Sequence, residues 1–251
     1  MVEHLVYTER VGSSSLSSPT IFNIKVNKMK INDENNRHLT KFKKFVYPDI
    51  KDLKNPNILE FGVSAAAMST GILLDLCQRN NGKLYSVDVH DFSSKFNSKN
   101  WIFIHRKDDD YIFINSLLPS KLDFIYLDTI HKADHVEKIL FKYFHLLKVN
   151  CNFVIDDTSW LPYTKNGEKN HFFMEVNNYE TFFRLIKIYN SNLDKMNLEF
   201  SFLGTGAAKI TKLSEEELIR PTKINNRFYS FINFLRLIYN FFLSRFRASG
   251  N

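Results

Sequence analysis

The chain has 251 residues, of which 44% are hydrophobic, and this is enough to bury one sizeable core in a single α/β domain. Its formal net charge of +7 is concentrated at one end, because six basic residues and no acidic residue follow Glu217. The rest of the chain therefore carries a net charge of only +1 (7 − 6), which argues against a nucleic-acid-binding groove over the whole domain.

Composition divides the chain into three parts. Residues 1–37 are rich in Ser, Asn and Lys without a hydrophobic period, which predicts a disordered or loosely attached segment. Residues 38–217 are predicted to form the folded domain, and residues 218–251 form a basic aromatic tail. The N-terminal residues do not combine a basic region with a long apolar stretch, which is the pattern of a secretory signal, so we expect a cytoplasmic protein. Cys77 and Cys151 lack metal-ligand spacing and are interpreted as buried thiols.

The folded part opens with a short amphipathic helix, predicted from His38 to Val46 and ended by Pro48. The stretch from Asn57 to Thr70 then reads as a strand, a tight turn of small residues and a helix start capped by Ser69 or Thr70. Such a turn lets backbone N–H groups approach a nucleoside or phosphate. An ordinary strand-to-helix connection is the alternative, since the second and third glycines of a dinucleotide fingerprint are missing.

Four further strands alternate with helices, which predicts a doubly wound, mostly parallel α/β sheet. The ligand of such a sheet lies outside the carboxyl ends of its strands. Acidic residues follow or close the strands at that edge: Glu60, Asp88, Asp128, Asp156 and Asp157. Two last strands, Leu198 to Leu203 and Ala207 to Ile210, are joined by only three residues and must pair as an antiparallel hairpin. A helix is predicted from about Tyr179 to Tyr189.

Over residues 45–212 the pattern resembles the class I S-adenosylmethionine (SAM) dependent methyltransferases. It is most similar to the metal-dependent sugar and small-molecule O-methyltransferases. Three stretches carry the resemblance: Leu-Glu-Phe-Gly-Val (59–63) followed by Ser-Thr, Leu-Asp-Phe-Ile-Tyr-Leu-Asp-Thr-Ile-His (122–131), and Phe-Val-Ile-Asp-Asp (153–157). The resemblance implies a Rossmann-like, seven-stranded sheet with a terminal antiparallel hairpin. The family's second glycine in the first turn is absent, and the Gly-Gly often found before the fifth strand is Asn150-Cys151.

The resemblance also implies a SAM site. Glu60 and Gly62, with Ser64 and Ser69 of the turn, would hold the methionine part, and Asp88 would hold the ribose hydroxyls. A carboxylate suits a ribose diol because it accepts two hydrogen bonds with little strain. Asp108 or Asp109 would contact the adenine amino group, with a solvated acidic turn as the alternative.

Asp128 and the pair Asp156-Asp157 lie at the ends of two neighbouring predicted strands, so three carboxylates are expected to converge. A divalent cation would relieve their repulsion, and oxygen ligands suit Mg²⁺ or Mn²⁺. In the resembled family these positions bind Mg²⁺. His131 is the predicted catalytic base, because imidazole can transfer protons near neutral pH. His135 and His171 are the competing histidines, and His131 could instead cap or pack the following helix.

We therefore expect a SAM-dependent O-methyltransferase that acts on a sugar or other small polar acceptor with a divalent metal. Two other classes stay open: a nicotinamide-dependent oxidoreductase on the same fold, and a non-catalytic, membrane-tethered binding module. Trp160 and Tyr163 would either wall the acceptor pocket or pack their loop onto the body.

The tail from Arg227 to Arg247 is aromatic and basic, but its uninterrupted apolar span is too short for a transmembrane helix. An interfacial helix on the inner face of a membrane is one interpretation. The other is a helix docked on the body or on a second subunit of a homo-oligomer.

Overall fold

The computed structural model describes residues 40–159, 172–221, 231, 234–236 and 238–239. The predicted N-terminal segment 1–37 lies outside the described residues, as do Trp160, Tyr163 and His171.

One seven-stranded sheet forms the centre of the described domain, with the strand order β3-β2-β1-β4-β5-β7-β6. The first five strands in this order pair in parallel, and β7 runs antiparallel to both β5 and β6. This confirms the predicted doubly wound sheet with its terminal hairpin. The strands are β1 (Asn57–Phe61), β2 (Lys83–Asp88), β3 (Trp101–His105), β4 (Leu122–Leu127), β5 (Leu147–Asp156), β6 (Met196–Ser201) and β7 (Ala207–Lys212).

Helices cover both faces of the sheet. Residues 40–50, here called the N-terminal helical segment, contain a π-helical stretch and the short helix α1. The helical elements are the π-helix Phe42–Val46, α1 (Tyr47–Ile50), α2 (Met68–Arg79), α3 (Tyr111–Leu117), α4 (Ala133–Tyr143), the 3₁₀ turn Phe144–Leu146, and α5 (Phe172–Asn190).

Several predicted boundaries were wrong, among them those of β6, which is Met196–Ser201 instead of Leu198 to Leu203. Pro48 does not end the first helix but lies in the first turn of α1. β5 begins at Leu147, five residues before the predicted start, because polar residues on its half-buried outer part hid the strand. α5 begins at Phe172 instead of Tyr179, and the sequence analysis missed α3.

Alternating side chains of the sheet enter two separate cores. Leu59 of β1 packs in the core with α4 and α5, whereas its neighbour Ile58 packs in the core with α2 and the N-terminal helical segment. Cys77 is fully buried as predicted, but Cys151 is only partly buried. Since β1, β2, β4 and β5 are parallel, their carboxyl ends meet at one edge, and the acidic residues lie there.

Candidate active site

Gly62 closes β1 with a backbone conformation that only glycine adopts without strain. Its φ is +93°, and a Cβ atom at this position would lie 1.9 Å from the backbone oxygen of Asp128. The Gly62 N–H donates to the carbonyl of Val87 at 2.9 Å. The turn at Gly62 therefore packs closely between the ends of β2 and β4, and a residue larger than glycine does not fit at this position.

The small residues after Gly62 form a tight connection to α2. Ala67 precedes the helix in the left-handed conformation, with φ 46°, and no side chain caps the helix start. The predicted capping by Ser69 or Thr70 is wrong, because both residues lie in the first turn of the helix. The exposed Ser64 instead accepts a hydrogen bond from the Ala67 N–H at 3.3 Å, which helps to close the turn.

Glu60 lies beneath this turn, fully buried. Its two carboxylate oxygens accept hydrogen bonds from the hydroxyls of Ser69 and Ser86, each at 2.8 Å. The indole N–H of Trp101 donates in turn to the Ser86 hydroxyl at 3.0 Å. Burial raises the pKa of Glu60 from its ordinary value of 4.5 to about 7, although the serine hydrogen bonds oppose this rise. Glu60 therefore orients the start of α2 through Ser69.

Asp88 ends β2 with a carboxylate held by two backbone groups. The N–H of Val63 donates to one oxygen and the N–H of His90 to the other, both at 2.8 Å. Each carboxylate oxygen can accept a further hydrogen bond. The half-buried Asp88 therefore combines a fixed orientation with the capacity to bind a diol.

Asp108 and Asp109 are both tied to neighbouring side chains. The carboxylate of Asp108 accepts a hydrogen bond from the Thr129 hydroxyl and contacts His135 Nε2, both at 2.7 Å. Asp109 pairs with Lys138 at 2.6 Å, and this hydrogen bond lowers the pKa of Asp109. Their expected contact with adenine stays a prediction. His135 faces Asp108 in this arrangement.

His131 lies between two of the predicted metal ligands. Its Nε2 is 3.6 Å from Oδ1 of Asp128 and 3.4 Å from Oδ2 of Asp157. Asp128 follows β4, and Asp157 follows β5, so the parallel pairing of these strands brings the three side chains together. Burial, and then the nearby carboxylates of Asp156 and Asp157, raise the pKa of Asp128 well above its usual range. The ionised form of Asp128 is therefore disfavoured in this cluster.

Lys41 joins this acidic cluster, and sequence reasoning missed it. Its side chain is 3% exposed, and its ammonium contacts the Asp156 carboxylate, the Thr205 hydroxyl at 2.9 Å and the Gly206 carbonyl at 3.1 Å. It also lies 3.8 Å from Oδ1 of Asp157. The contact between Lys41 and Asp156 spans 115 residues, and no local pattern marks this lysine among its neighbours.

The three-carboxylate metal site stays a prediction. Among residues 40–159 and 172–221, no three His, Cys, Asp or Glu side chains converge closely enough to hold an ion. The donor chemistry nevertheless fits Mg²⁺, because Asp128 and Asp157 present hard oxygen atoms at one edge of the sheet. Asp156 is the exception, since Lys41 and the Tyr126 hydroxyl occupy its oxygens.

A cavity of about 220 Å³ adjoins the acidic cluster. It lies between the N-terminal helical segment, the turn after β1 and the carboxyl ends of β4 and β5. Its lining residues are Lys41, Phe42, Ser64, Ala66, Met68, Ser69, Ile72, Tyr126, Asp128 and Asp156. Four of the predicted site residues therefore share one cavity.

A known protein family matches part of this sequence, and solved structures share its fold. Residues 59–158 match a family model described as a methyltransferase domain. MycE methyltransferase from the mycinamycin biosynthetic pathway, solved with Mg and SAH, shares 17% identity with a TM-score of 0.54, over 72% of this chain and 52% of its own. Its complex with Mg, SAH and mycinamycin VI shares 19% identity with a TM-score of 0.50, over 70% and 50%.

A third solved structure, the SAH-bound methyltransferase PaMTH1 from Podospora anserina, shares 12% identity with a TM-score of 0.47, over 63% of this chain and 72% of its own. The chain spans about half the length of the MycE chains that it matches. No curated protein sequence is similar enough to count as a match.

Proposed function

We propose that this chain, in which residues 59–158 match a methyltransferase domain, is a class I, SAM-dependent enzyme that transfers a methyl group from SAM to a hydroxyl of a sugar or other small polar acceptor. The observation that carries this proposal is the position of His131, held between Asp128 and Asp157 beside the cavity. A base and two carboxylates at the edge where this sheet type binds ligands suit chemistry on a hydroxyl.

The residues on the β1 and β2 side suit the nucleoside. Asp88, already oriented by two backbone N–H groups, would accept the ribose hydroxyls. Gly62 lets the turn after β1 pack against the backbone of Asp128, and Ser64 and Ser69 line the cavity where the methionine part would lie. Bound SAM supplies an activated methyl group on its sulfonium.

The residues at the ends of β4 and β5 suit the acceptor. Methyl transfer is an in-line displacement, so the acceptor oxygen gains the methyl carbon as the carbon–sulfur bond breaks. The hydroxyl proton must leave at the same stage, and His131 Nε2 is placed to take it. Asp128 and Asp157 would then stabilise the imidazolium that forms, since both carboxylates face that nitrogen.

A divalent metal, Mg²⁺ in the first instance, would lie near the same carboxylates. Asp128 and Asp157 would be its first ligands, with Asp156 as the third predicted one. A bound cation lowers the pKa of an acceptor hydroxyl and fixes its position. Two observations support this part: Asp128 and Asp157 converge on the same side chain, His131, and the MycE structures contain Mg. Turnover that survives EDTA unchanged would contradict metal assistance.

The acceptor class rests on the family resemblance and on one solved complex. MycE was solved with mycinamycin VI beside Mg and SAH, so small molecules are the first acceptors to screen. A screen of glycans and small polar molecules with methyl-labelled SAM would identify the acceptor. Label recovered on nitrogen or carbon would contradict O-methylation.

SAM binding tests the proposal most directly. Calorimetry should show SAM binding to the wild type and at least about tenfold weaker binding to Asp88→Asn, because an amide cannot accept both backbone N–H groups and the ribose diol. Asp91→Asn, on the same loop, is the matched control and should bind like the wild type. Binding of NADH instead of SAM would favour the nicotinamide-dependent oxidoreductase. Binding of neither ligand would favour the non-catalytic module.

The base assignment has its own test. His131→Gln should lower turnover by about 10²- to 10⁴-fold while the SAM affinity stays within about twofold, because the imidazole acts on the acceptor. His135→Gln is the comparison variant, since His135 contacts Asp108 instead of the strand-end acids. A larger loss of turnover in His135→Gln would move the role of base to that residue.

We further propose that the C-terminal tail holds the protein on the cytoplasmic face of a membrane. No helix among the described residues is long and apolar enough to cross a membrane. Phe231, Phe234, Leu235 and Ile238 are helical, and their spacing places them on one helix face, yet all are exposed. An exposed apolar face on a basic tail suits the boundary of an anionic membrane.

A truncation tests this proposal, and the structure shows where to cut. The backbone N–H of Ile219 donates to the Asn192 side chain at 2.7 Å, so domain contacts continue beyond Glu217. The protein truncated after Pro221 should stay folded and active but should no longer sediment with phosphatidylserine vesicles. Loss of folding, or dissociation of a dimer, would favour a tail docked on the body or on a second copy.

A further inference from the structure

We propose that Lys41 competes with the divalent cation: its ammonium holds Asp156 and thereby weakens metal binding. This inference rests on the proposed function, because it concerns the same metal site. It assigns a role to a residue that lies outside the matched region 59–158.

The ammonium of Lys41 is fully coordinated by the protein. It has three protons to donate, and the structure offers three acceptors: the Asp156 carboxylate, the Thr205 hydroxyl and the Gly206 carbonyl. With only 3% of the side chain exposed, water takes little part. A buried ammonium is retained only where such partners compensate for its lost hydration.

Asp156 also has most of its hydrogen-bonding capacity occupied. Its Oδ1 accepts from Lys41 and from the Asp157 N–H at 2.8 Å, and its Oδ2 accepts from the Tyr126 hydroxyl at 2.8 Å. While Lys41 stays in place, both lone-pair sites of Oδ1 are occupied, and only one site of Oδ2 is open to a metal ion. A cation arriving at the edge would therefore meet Asp128 and Asp157 with only this one site of Asp156.

The positive charge of Lys41 also opposes binding of a cation, in addition to its occupation of Asp156. Lys41 places one positive charge next to Asp156 and 3.8 Å from Oδ1 of Asp157. A divalent cation near these carboxylates would be repelled by the ammonium at short range, in a site with little water to screen it. The metal would therefore gain its third carboxylate only when the lysine side chain moves away.

The N-terminal helical segment can stay in place during this movement. Phe42 packs edge-to-face on Tyr126 with ring centroids 5.6 Å apart. Asp49 pairs with Lys209 of β7 at 2.8 Å. These contacts do not involve Lys41, so a change confined to its long side chain would free Asp156.

Calorimetry with Mn²⁺ as the probe tests the inference on the full chain. Lys41→Met should bind Mn²⁺ at least tenfold more tightly than the wild type, equivalent to about 1.4 kcal/mol. Lys41→Arg keeps the charge and should stay within about twofold of the wild type. Lys44→Met, an exposed lysine of the same segment, is the matched control and should also match the wild type. Mn²⁺ should raise the melting temperature of Lys41→Met more than that of the wild type.

A second variant keeps the test decisive if Lys41→Met does not fold. Thr205→Val removes one acceptor of the ammonium without changing any charge, and it should bind Mn²⁺ about two- to threefold more tightly. Equal or weaker Mn²⁺ binding by Lys41→Met, or by Thr205→Val where Lys41→Met is unfolded, would overturn the inference. If the wild type and Lys41→Met bind Mn²⁺ equally, the metal part of the proposed function stands and the role of Lys41 fails. If neither binds Mn²⁺, both fail, while SAM binding to the same samples reports separately on the methyltransferase assignment.

Discussion

Replacing Glu60 with glutamine should stabilise the protein at pH 8 and change its stability much less at pH 5. Glu60 is fully buried, and burial raises its pKa from 4.5 to about 7. Below pH 4.5 the carboxyl is protonated in both the folded and the unfolded state, so ionisation costs nothing. Between pH 4.5 and 7 the unfolded chain loses the proton and the folded protein keeps it, so the free energy of unfolding falls. Above pH 7 both states are ionised, and the cost is constant.

The magnitude follows from the two pKa values. A pKa difference of one unit corresponds to about 1.36 kcal/mol of unfolding free energy. The rise in the pKa of Glu60 from 4.5 to about 7 therefore destabilises the folded protein by about 3 kcal/mol at pH 8 and by less than about 1 kcal/mol at pH 5. Glutamine cannot ionise and keeps the shape of the side chain. Its carbonyl can accept from the Ser86 hydroxyl, and its amide can donate to the Ser69 oxygen, so both neighbours keep a partner.

Urea unfolding followed by circular dichroism at pH 5 and pH 8 measures the effect. The gain in unfolding free energy for Glu60→Gln should be about 2 to 3 kcal/mol larger at pH 8 than at pH 5. Comparing the two pH values cancels any packing change that does not depend on pH. Glu180→Gln, at an exposed position of α5, is the control and should change stability by less than about 0.5 kcal/mol at either pH. An equal gain at both pH values, or a larger gain at pH 5, would refute the reasoning.

Three further substitutions test the packing around the site. Gly62→Ala should lower the free energy of unfolding by about 3 kcal/mol or more, since its Cβ would clash with the Asp128 backbone oxygen at a positive φ; an unchanged melting temperature would contradict this. Tyr126→Phe should cost about 1 to 3 kcal/mol in urea unfolding, because it removes a hydrogen bond to the buried Asp156; a neutral result would show that the bond contributes nothing. Lys212→Met should cost a similar amount, since the fully buried ammonium donates to the Leu147 carbonyl at 2.7 Å; equal stability of variant and wild type would exclude that role.

The sequence alone determined the sheet and the edge at which the acids lie. The apolar run Leu122 to Leu127 predicted a buried strand with both of its observed ends. The short link predicted between the last two strands required an antiparallel pair, which β6 and β7 form across a five-residue connection. Parallel strands share one carboxyl edge, so acids that follow separate strands were predictable as neighbours without knowledge of any contact. These features depend on local hydrophobic periodicity and on the lengths of the connections between strands, and both can be read directly from the sequence.

Tertiary structure alone decided which partner each acid has. Nothing in the sequence linked Asp156 to Lys41, because that contact depends on how the N-terminal helical segment packs over the end of β5. The pairing of Asp108 with His135 depends likewise on the placement of α4. Two charged side chains pair when the fold brings them close together, and the interaction energy of the pair then depends on how deeply it is buried. Local sequence patterns contain neither the distance between two side chains nor their burial. The sheet edge that carries the acids was therefore predictable, whereas the contact of Lys41 with Asp156 was not.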